Sequence, residues 1–152
     1  MNKRVLVAMS GGVDSSVTAA LLKTQGFEVL GVHMQMSSAT PASLGGSCSI
    51  NFNSSVAKKV CESLEIPFYT VDSQEEFKSE VIDYMIHEAL QGRSPNPCSR
   101  CSTKVKFRHL LKKADELRCN LVATGHYAKV VKNADGSETN LYRAIDRSED
   151  QS

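Results

Sequence analysis

The chain has 152 residues, the length of one domain, and 41% are hydrophobic, a little below the usual globular share but enough for one core. Eighteen basic and seventeen acidic residues leave a formal net charge of +1, which argues against tight nucleic-acid binding by bulk charge and leaves room for a local basic face. No apolar run is long enough to span a bilayer, and the N-terminus lacks the apolar stretch and cleavage site of a secretory signal, so a cytoplasmic protein with no membrane partner is expected.

Arg4 to Met9 is a nearly continuous apolar run stopped by Ser10-Gly11-Gly12, the pattern of a buried parallel strand. From Ser15 to Gln25, Val17, Ala20, Leu21 and Leu22 recur at helical spacing, and Gly26 is a natural stop. Phe27 to Met34 reads as a second strand. Ser37 to Ser47, rich in Ser, Ala and Gly, reads as a loop. Ser54 to Leu64 predicts a helix with Val56, Val60 and Leu64 on one face. Ile66 to Val71 predicts a third strand, with Pro67 tolerated near its start. Ser73 with Glu76 three residues on is a capping box, opening a helix to about Ala89. Gly92 to Pro97, with two prolines and Asn96, reads as a loop. Lys104 to Leu117 reads as a basic amphipathic helix, and Asn120 to Ala123 as a fourth strand ending at Thr124-Gly125-His126. Ala128 to Lys132 and Thr139 to Ile145 flank Asp135-Gly136 and predict a hairpin.

Strands alternating with helices predict an α/β fold, a parallel twisted sheet with helices on both faces. Ligands of such sheets bind beyond the carboxyl ends of the strands. Ser10 to Ser15, Met34 onward and Gly125-His126 all fall at such ends.

Ser10-Gly11-Gly12-Val13-Asp14-Ser15-Ser16 joins a strand to a helix. Its glycines let the backbone approach an anion, and the helix N-terminus offers free N–H groups and a favourable dipole. The hydroxyls of Ser10, Ser15 and Ser16 can add donors. Asp14, an anion in an anion site, suits a Mg²⁺ ion or the orientation of the loop. A bare Gly-Gly turn would need no ligand. No Gly-Lys-Ser/Thr follows, so the loop is not a Walker A motif, and it is not Gly-x-Gly-x-x-Gly.

The cysteines are Cys48, Cys61, Cys98, Cys101 and Cys119. An odd count in a reducing compartment suggests chemistry or burial rather than a disulfide framework. Cys98 and Cys101 follow a proline-stiffened segment, Ser94-Pro95-Asn96-Pro97, and their spacing permits a metal or cluster pair, a redox pair or a nucleophile with a neighbour. Arg93, Arg100, Lys104 and Lys106 surround them, and positive charge favours a thiolate. Two buried, inert thiols are the plainer alternative. Structural zinc lacks a second paired spacing. His126 follows the fourth strand and is a candidate phosphate or base ligand, or a structural histidine. Lys104, Lys106, Arg108, Lys112 and Lys113 on one helix form a candidate nucleic-acid-facing or merely solvated surface. His33 and His87 carry no spacing signal.

The phosphate loop resembles the SGGxDS loop of the PP-loop ATP pyrophosphatase superfamily, whose fold is adenine nucleotide alpha hydrolase-like. Gly92-Arg93-Ser94-Pro95-Asn96-Pro97-Cys98 with Cys101 and Lys104-Val105-Lys106-Phe107 resembles the tRNA-specific 2-thiouridylase family. Ala123-Thr124-Gly125-His126-Tyr127-Ala128 and the tail from Asp146 to Ser152 are similar to its later motifs, in family order over nearly the whole chain. The resemblance implies ATP and Mg²⁺ as cofactors and tRNA as partner, with sulfur delivered by a relay or cysteine desulfurase protein. It implies adenylation of a uracil C2 oxygen of the wobble uridine, followed by its replacement with sulfur from a cysteine persulfide. Ala8, Met9, Ser10, Gly11, Gly12, Val13, Asp14 and Ser15 would hold ATP, with Met34 at the adenine and Gly125 beside the nucleotide. Asn96, Pro97 and Cys98 would approach the base, with Cys101 as the nucleophile. Glu149, Asp150 and Gln151 would touch tRNA, although Glu149 stands where the family often has lysine. Cys98 and Cys101 are also candidate ligands of an iron–sulfur cluster. Residues 1–152 would be the ATP-binding, adenylating domain of a truncated chain, without the central and C-terminal tRNA-binding domains. Two alternatives stay open: an inactive nucleotide-binding or tRNA-binding fragment, and another PP-loop adenylating ligase or sulfurtransferase.

Overall fold

In a computed structural model, residues 3–36, 54–133, 136–148 and 150 are described. The expected Ser37 to Ser47 loop, Cys48, Asp135, Glu149 and Gln151 lie outside them. Strands β1 (Arg4–Ala8), β2 (Glu28–Gln35), β3 (Phe68–Asp72) and β4 (Leu121–Ala123) form one all-parallel sheet in the order β3-β2-β1-β4. The helices are α1 (Val13–Thr24), α2 (Ser54–Ser63), α3 (Gln74–Phe77), α4 (Asp83–Leu90), α5 (Pro97–Arg100) and α6 (Phe107–Glu116). β5 (Lys129–Lys132) and β6 (Thr139–Tyr142) pair as the expected antiparallel hairpin.

β1 is buried on both faces, as its unbroken apolar run requires. Alternate residues go to opposite sides. Val5, Val7, Met9 and Val29 pack with Ala19 of α1 and with Ala57 and Cys61 of α2. Leu6, Leu30 and Val32 pack with Leu110 and Ala114 of α6. Helices therefore cover both faces, and burial of this kind yields about 25 cal/mol per Å² of apolar surface removed from water. α1 departs from the predicted apolar face. Val17 and Leu21 are exposed, while the small residues Ser15 and Ala19 turn inward. Small side chains let the helix sit close to the sheet.

β3 begins two residues later than expected. Pro67 has no N–H to give a ladder, and it serves instead through its carbonyl, which accepts from Gly31 N–H at 2.8 Å. The predicted capping box does not form. Ser73 Oγ is fully buried without a hydrogen-bond partner among the described residues, and the N–H of Gln74 bonds to Asp72 Oδ1 at 3.0 Å. The acceptor that caps α3 comes from one residue earlier than the motif suggests.

The cysteine segment corrects a second expectation. The helix predicted from Lys104 starts at Pro97, so Cys98 and Cys101 are helical. Asn96 Oδ1 accepts from Ser99 N–H at 3.0 Å, and Pro97 takes the first helical position, where its missing N–H does no harm. Between α5 and α6 runs a π-helical stretch, Cys101–Lys106, and between α3 and α4 another, Lys78–Ile82. They meet in a small satellite core of Phe77, Val81, Cys101 and Val105, with Met36 against it.

Gly31 in β2 tests the packing. A Cβ there would stand 2.6 Å from Cys61 Sγ and 3.1 Å from Met9 Cγ. Gly31→Ala is expected to cost about 1–3 kcal/mol, read by urea denaturation. Adding Cys61→Ala should recover part of that loss, because the two sites share one contact. Additive losses in the double variant would contradict the packing described.

Candidate functional site

The chain lays β2 and β3 on one side of β1, then returns to place β4 on the other. The sheet thus switches direction between β1 and β4, and a crevice beyond the strand ends is expected there. A cavity of about 250 Å³ occupies this place. It is lined by the end of β1 (Ala8, Met9, Ser10), the start of α1 (Asp14, Ser15) and the end of β2 (His33, Met34). The exit of β4 (Thr124, Gly125, His126) with Met36, Lys106 and Leu110 completes it.

Gly11 turns the chain from β1 into α1 with a φ of +87°, a region that favours glycine. The first intrahelical bond is Ser16 N–H to Gly12 O, so the N–H groups before it have no partner within the helix. These are the donors an anion would use. The serine hydroxyls serve differently from expectation. Ser15 Oγ donates to Gly12 O at 3.1 Å, and Ser16 Oγ donates to the same carbonyl at 2.8 Å. Ser15 Oγ also accepts from Ser10 N–H, and Ser10 Oγ accepts from Gly12 N–H. The hydroxyls brace the turn and engage the Ser10 and Gly12 amides, so the amides of Gly11 and of Val13 to Ser15 are the ones a ligand would use.

Gly125 approaches this turn closely. A Cβ there would lie 2.8 Å from Ser15 N and 2.9 Å from Asp14 Cβ. Two residues on, Tyr127 donates its hydroxyl to Asp14 Oδ1 at 2.7 Å. Asp14 thus has one oxygen engaged and one available at the phosphate end, which suits a Mg²⁺ ion that also takes phosphate oxygens and water. Across the cavity Lys106 supplies positive charge, and Met34, Met36 and Leu110 supply an apolar wall. His126 is held by Thr124 Oγ1 at 2.6 Å from its Nδ1, and its ring stacks on Phe107 with centroids 6.1 Å apart.

Of the expected nucleotide residues, Ala8, Met9, Ser10, Asp14, Ser15, Met34 and Gly125 line the cavity, while Gly11, Gly12 and Val13 shape the turn beside it. Lys106 and His126 line it; Lys104 is exposed elsewhere. Asn96, Pro97, Cys98 and Cys101 do not line it. Cys98 is exposed, whereas Cys101 is 3% exposed with Sγ 3.8 Å from Met36 Sδ. Met36 is therefore the side chain between that thiol and the cavity. Asp150 accepts from Ala144 N–H at 2.8 Å. Sequence reasoning missed Tyr127, His33 and Met36. Tyr127 stands inside a quoted motif, but its partner lies 113 positions away.

Both arginines near the cysteines are engaged. Arg93 makes a bidentate pair with Glu88, whose carboxyl is held below its ordinary range chiefly by that hydrogen bond. Arg100 donates to Glu80 O at 2.7 Å and Glu80 Oε2 at 2.9 Å, and lies over the Tyr84 ring. Two of the four cations of the expected thiolate-favouring cluster, Arg93 and Arg100, are thus paired with carboxylates. Burial pushes the Cys61 thiol up to about 11 and the Cys119 thiol above its ordinary value. Among the described residues, no three His, Cys, Asp or Glu side chains converge on a metal position.

These placements set a thiol order. Brief iodoacetamide treatment of the folded chain at neutral pH is expected to label Cys98 ahead of Cys61 and Cys101, read by peptide mass spectrometry. Equal labelling of Cys101 and Cys98 would contradict the burial of Cys101.

The chain is similar to known proteins over nearly its whole length. The family described as tRNA methyl transferase HUP domain matches residues 3–152. The chain is 50% identical to the tRNA-specific 2-thiouridylase MnmA of Carboxydothermus hydrogenoformans, over 98% of this chain and 42% of the relative. It is 49% identical to that of Geotalea uraniireducens, over 99% and 41%. The chain thus spans about two fifths of the length of these relatives. Among solved structures, the U34-tRNA thiolase NcsA from Methanococcus maripaludis with its [4Fe-4S] cluster matches with a TM-score of 0.56. That match has 23% identity and covers 83% of this chain and 39% of that one. The glutamine-dependent NAD⁺ synthetase of Acinetobacter baumannii, in complex with ADP, matches at 0.53 with 17% identity, over 82% and 22%. At these identities the two structures show a shared fold.

Proposed function

The chain belongs to the tRNA methyl transferase HUP domain family, and from that premise we propose that it is the ATP-binding, adenylating part of a tRNA uridine 2-sulfurtransferase. One observation carries the reading. The α1 N-terminus, Asp14 and Lys106 converge on a cavity at the switch point of a parallel sheet. The amides of Gly11 and of the first turn of α1 would hold the triphosphate of ATP, and Met34 and Leu110 would face its adenosine. Asp14, steadied by Tyr127, would hold Mg²⁺, which when bound offsets phosphate charge as pyrophosphate leaves.

The chemistry follows from leaving groups. A uracil C2 oxygen leaves poorly, so it first attacks the α-phosphorus of ATP and releases pyrophosphate. The terminal sulfur of a persulfide, supplied by a donor protein, then attacks C2, and the C2–O bond breaks with AMP departing. This chain orients the triphosphate for in-line attack. Asn96, Pro97 and Cys98, at the exposed start of α5, are the base-side residues in this reading. Cys101 is the nucleophile in this reading: its thiolate attacks the inner sulfur of the persulfide, the S–S bond to the transferred sulfur breaks, the thiouridine is freed, and a disulfide between Cys101 and the donor cysteine is left. A cluster held by Cys98 and Cys101 would need a third ligand from outside the described residues.

A second reading has its own observation. The 3% exposure of Cys101 favours a nucleotide-binding unit that does not transfer sulfur by itself. Single-turnover thiolation of tRNA separates the two, since a thiolated product removes the second reading.

Calorimetry tests the common ground. ATP with Mg²⁺ is expected to bind the chain saturably, and Asp14→Ala to weaken binding at least about tenfold, the scale of a lost charge-assisted contact. Absence of binding to the unsubstituted chain would sink the reading. Tyr127→Phe, which keeps the ring and removes the donor, is expected to raise the Mg²⁺ concentration needed for half-maximal ATP binding about threefold or more, on the scale of one neutral hydrogen bond. Metal-free ATP affinity should change little in that variant. An unchanged Mg²⁺ requirement would show that the phenol does not steady Asp14.

A further inference from the structure

His33 is 4% exposed, yet it forms part of the cavity wall. Its Nδ1 lies 3.0 Å from the carbonyl oxygen of Met9. A carbonyl only accepts, so Nδ1 is the nitrogen that carries the proton. In the neutral ring Nε2 is then an acceptor. Among the described residues Nε2 has no hydrogen-bond partner. Nε2 is not among the fully buried polar atoms that lack a partner, so it remains within reach of a ligand N–H.

The rest of the wall narrows the donor. One side of the cavity offers the amides of the phosphate turn, and the other offers Lys106 with Met34, Met36 and Leu110. A flat, weakly polar ring bearing an N–H, joined to an anionic tail, fits both. Resting on the nucleotide reading above, we propose that His33 Nε2 accepts from the six-amino group of the purine and so selects 6-amino over 6-oxo nucleotides. A 6-oxo purine presents its own acceptor at that point, and two acceptors face each other without a shared proton. Selection comes from the unmet pair as much as from the bond gained. His33 is fixed for this role by the Met9 carbonyl, which forbids the other tautomer in the neutral ring.

The test is binding of ATP, ITP and purine riboside triphosphate, each with Mg²⁺, to the chain and to His33→Leu. The chain is expected to bind ATP at least about tenfold tighter than either analogue, one of which replaces the donor by an acceptor and the other of which removes it. His33→Leu is expected to bring the three affinities within about threefold, chiefly by weakening ATP. Equal binding of ATP and purine riboside triphosphate to the unsubstituted chain would overturn the assignment, and that comparison needs no variant to fold. An ATP preference that survives in a folded His33→Leu would overturn it as well. Failure of all three nucleotides to bind would overturn the nucleotide reading and this inference with it.

Discussion

The approach of Gly125 to the first turn of α1 is the contact on which the site depends. A methyl group there would sit inside the backbone of Asp14 and Ser15. Because the side chain is only a hydrogen, the exit of β4 lies directly on the N-terminus of α1. That closeness brings residues far apart in sequence onto one carboxylate and one helix end. Tyr127 reaches Asp14, and His126 reaches the mouth, only because the chain between them and β4 is already against the helix. Relaxing this contact would widen the cavity at its charged end and separate Asp14 from the phenol that orients it.

Features written locally were readable in the sequence. The phosphate turn was, because glycine conformations and a strand-to-helix breaker are properties of a few adjacent residues. The four sheet strands were, β1 and β2 because a strand buried on both faces must be apolar throughout, and β3 and β4 as short apolar runs that are only partly buried. Failures came where two local rules compete. At Ser73 a capping motif is present, but Asp72 lies nearer the first N–H and takes it. At Asn96-Pro97 the two residues were read as loop-formers, although the same pair also makes a sound helix start. What could not be read at all was pairing over distance. Nothing near His33 announces that the Met9 carbonyl waits beside it, and nothing near Arg100 announces Glu80 and Tyr84.

The two cysteines illustrate how burial divides residues that a motif joins. Three positions apart on a helix, they share one general side, yet Cys98 faces water at the open start and Cys101 enters a core. Their chemistry is therefore unequal. One thiol meets whatever approaches the surface, and the other lies against Met36, which lines the cavity.

The π-helical stretch after Cys101 has a consequence for the phase of the helix that contains it. The buried residues along the run are Cys101, Val105, Leu110 and Ala114. Their steps are four, five and four, where an unbroken α-helix would keep to threes and fours. The longer step rotates the inward stripe part-way around the axis. One continuous helix thereby serves two cores, the satellite core beside Met36 and the main sheet under α6. Deleting a single residue within that stretch would restore the ordinary period, and the helix could then satisfy one core only by turning the other's side chains to water.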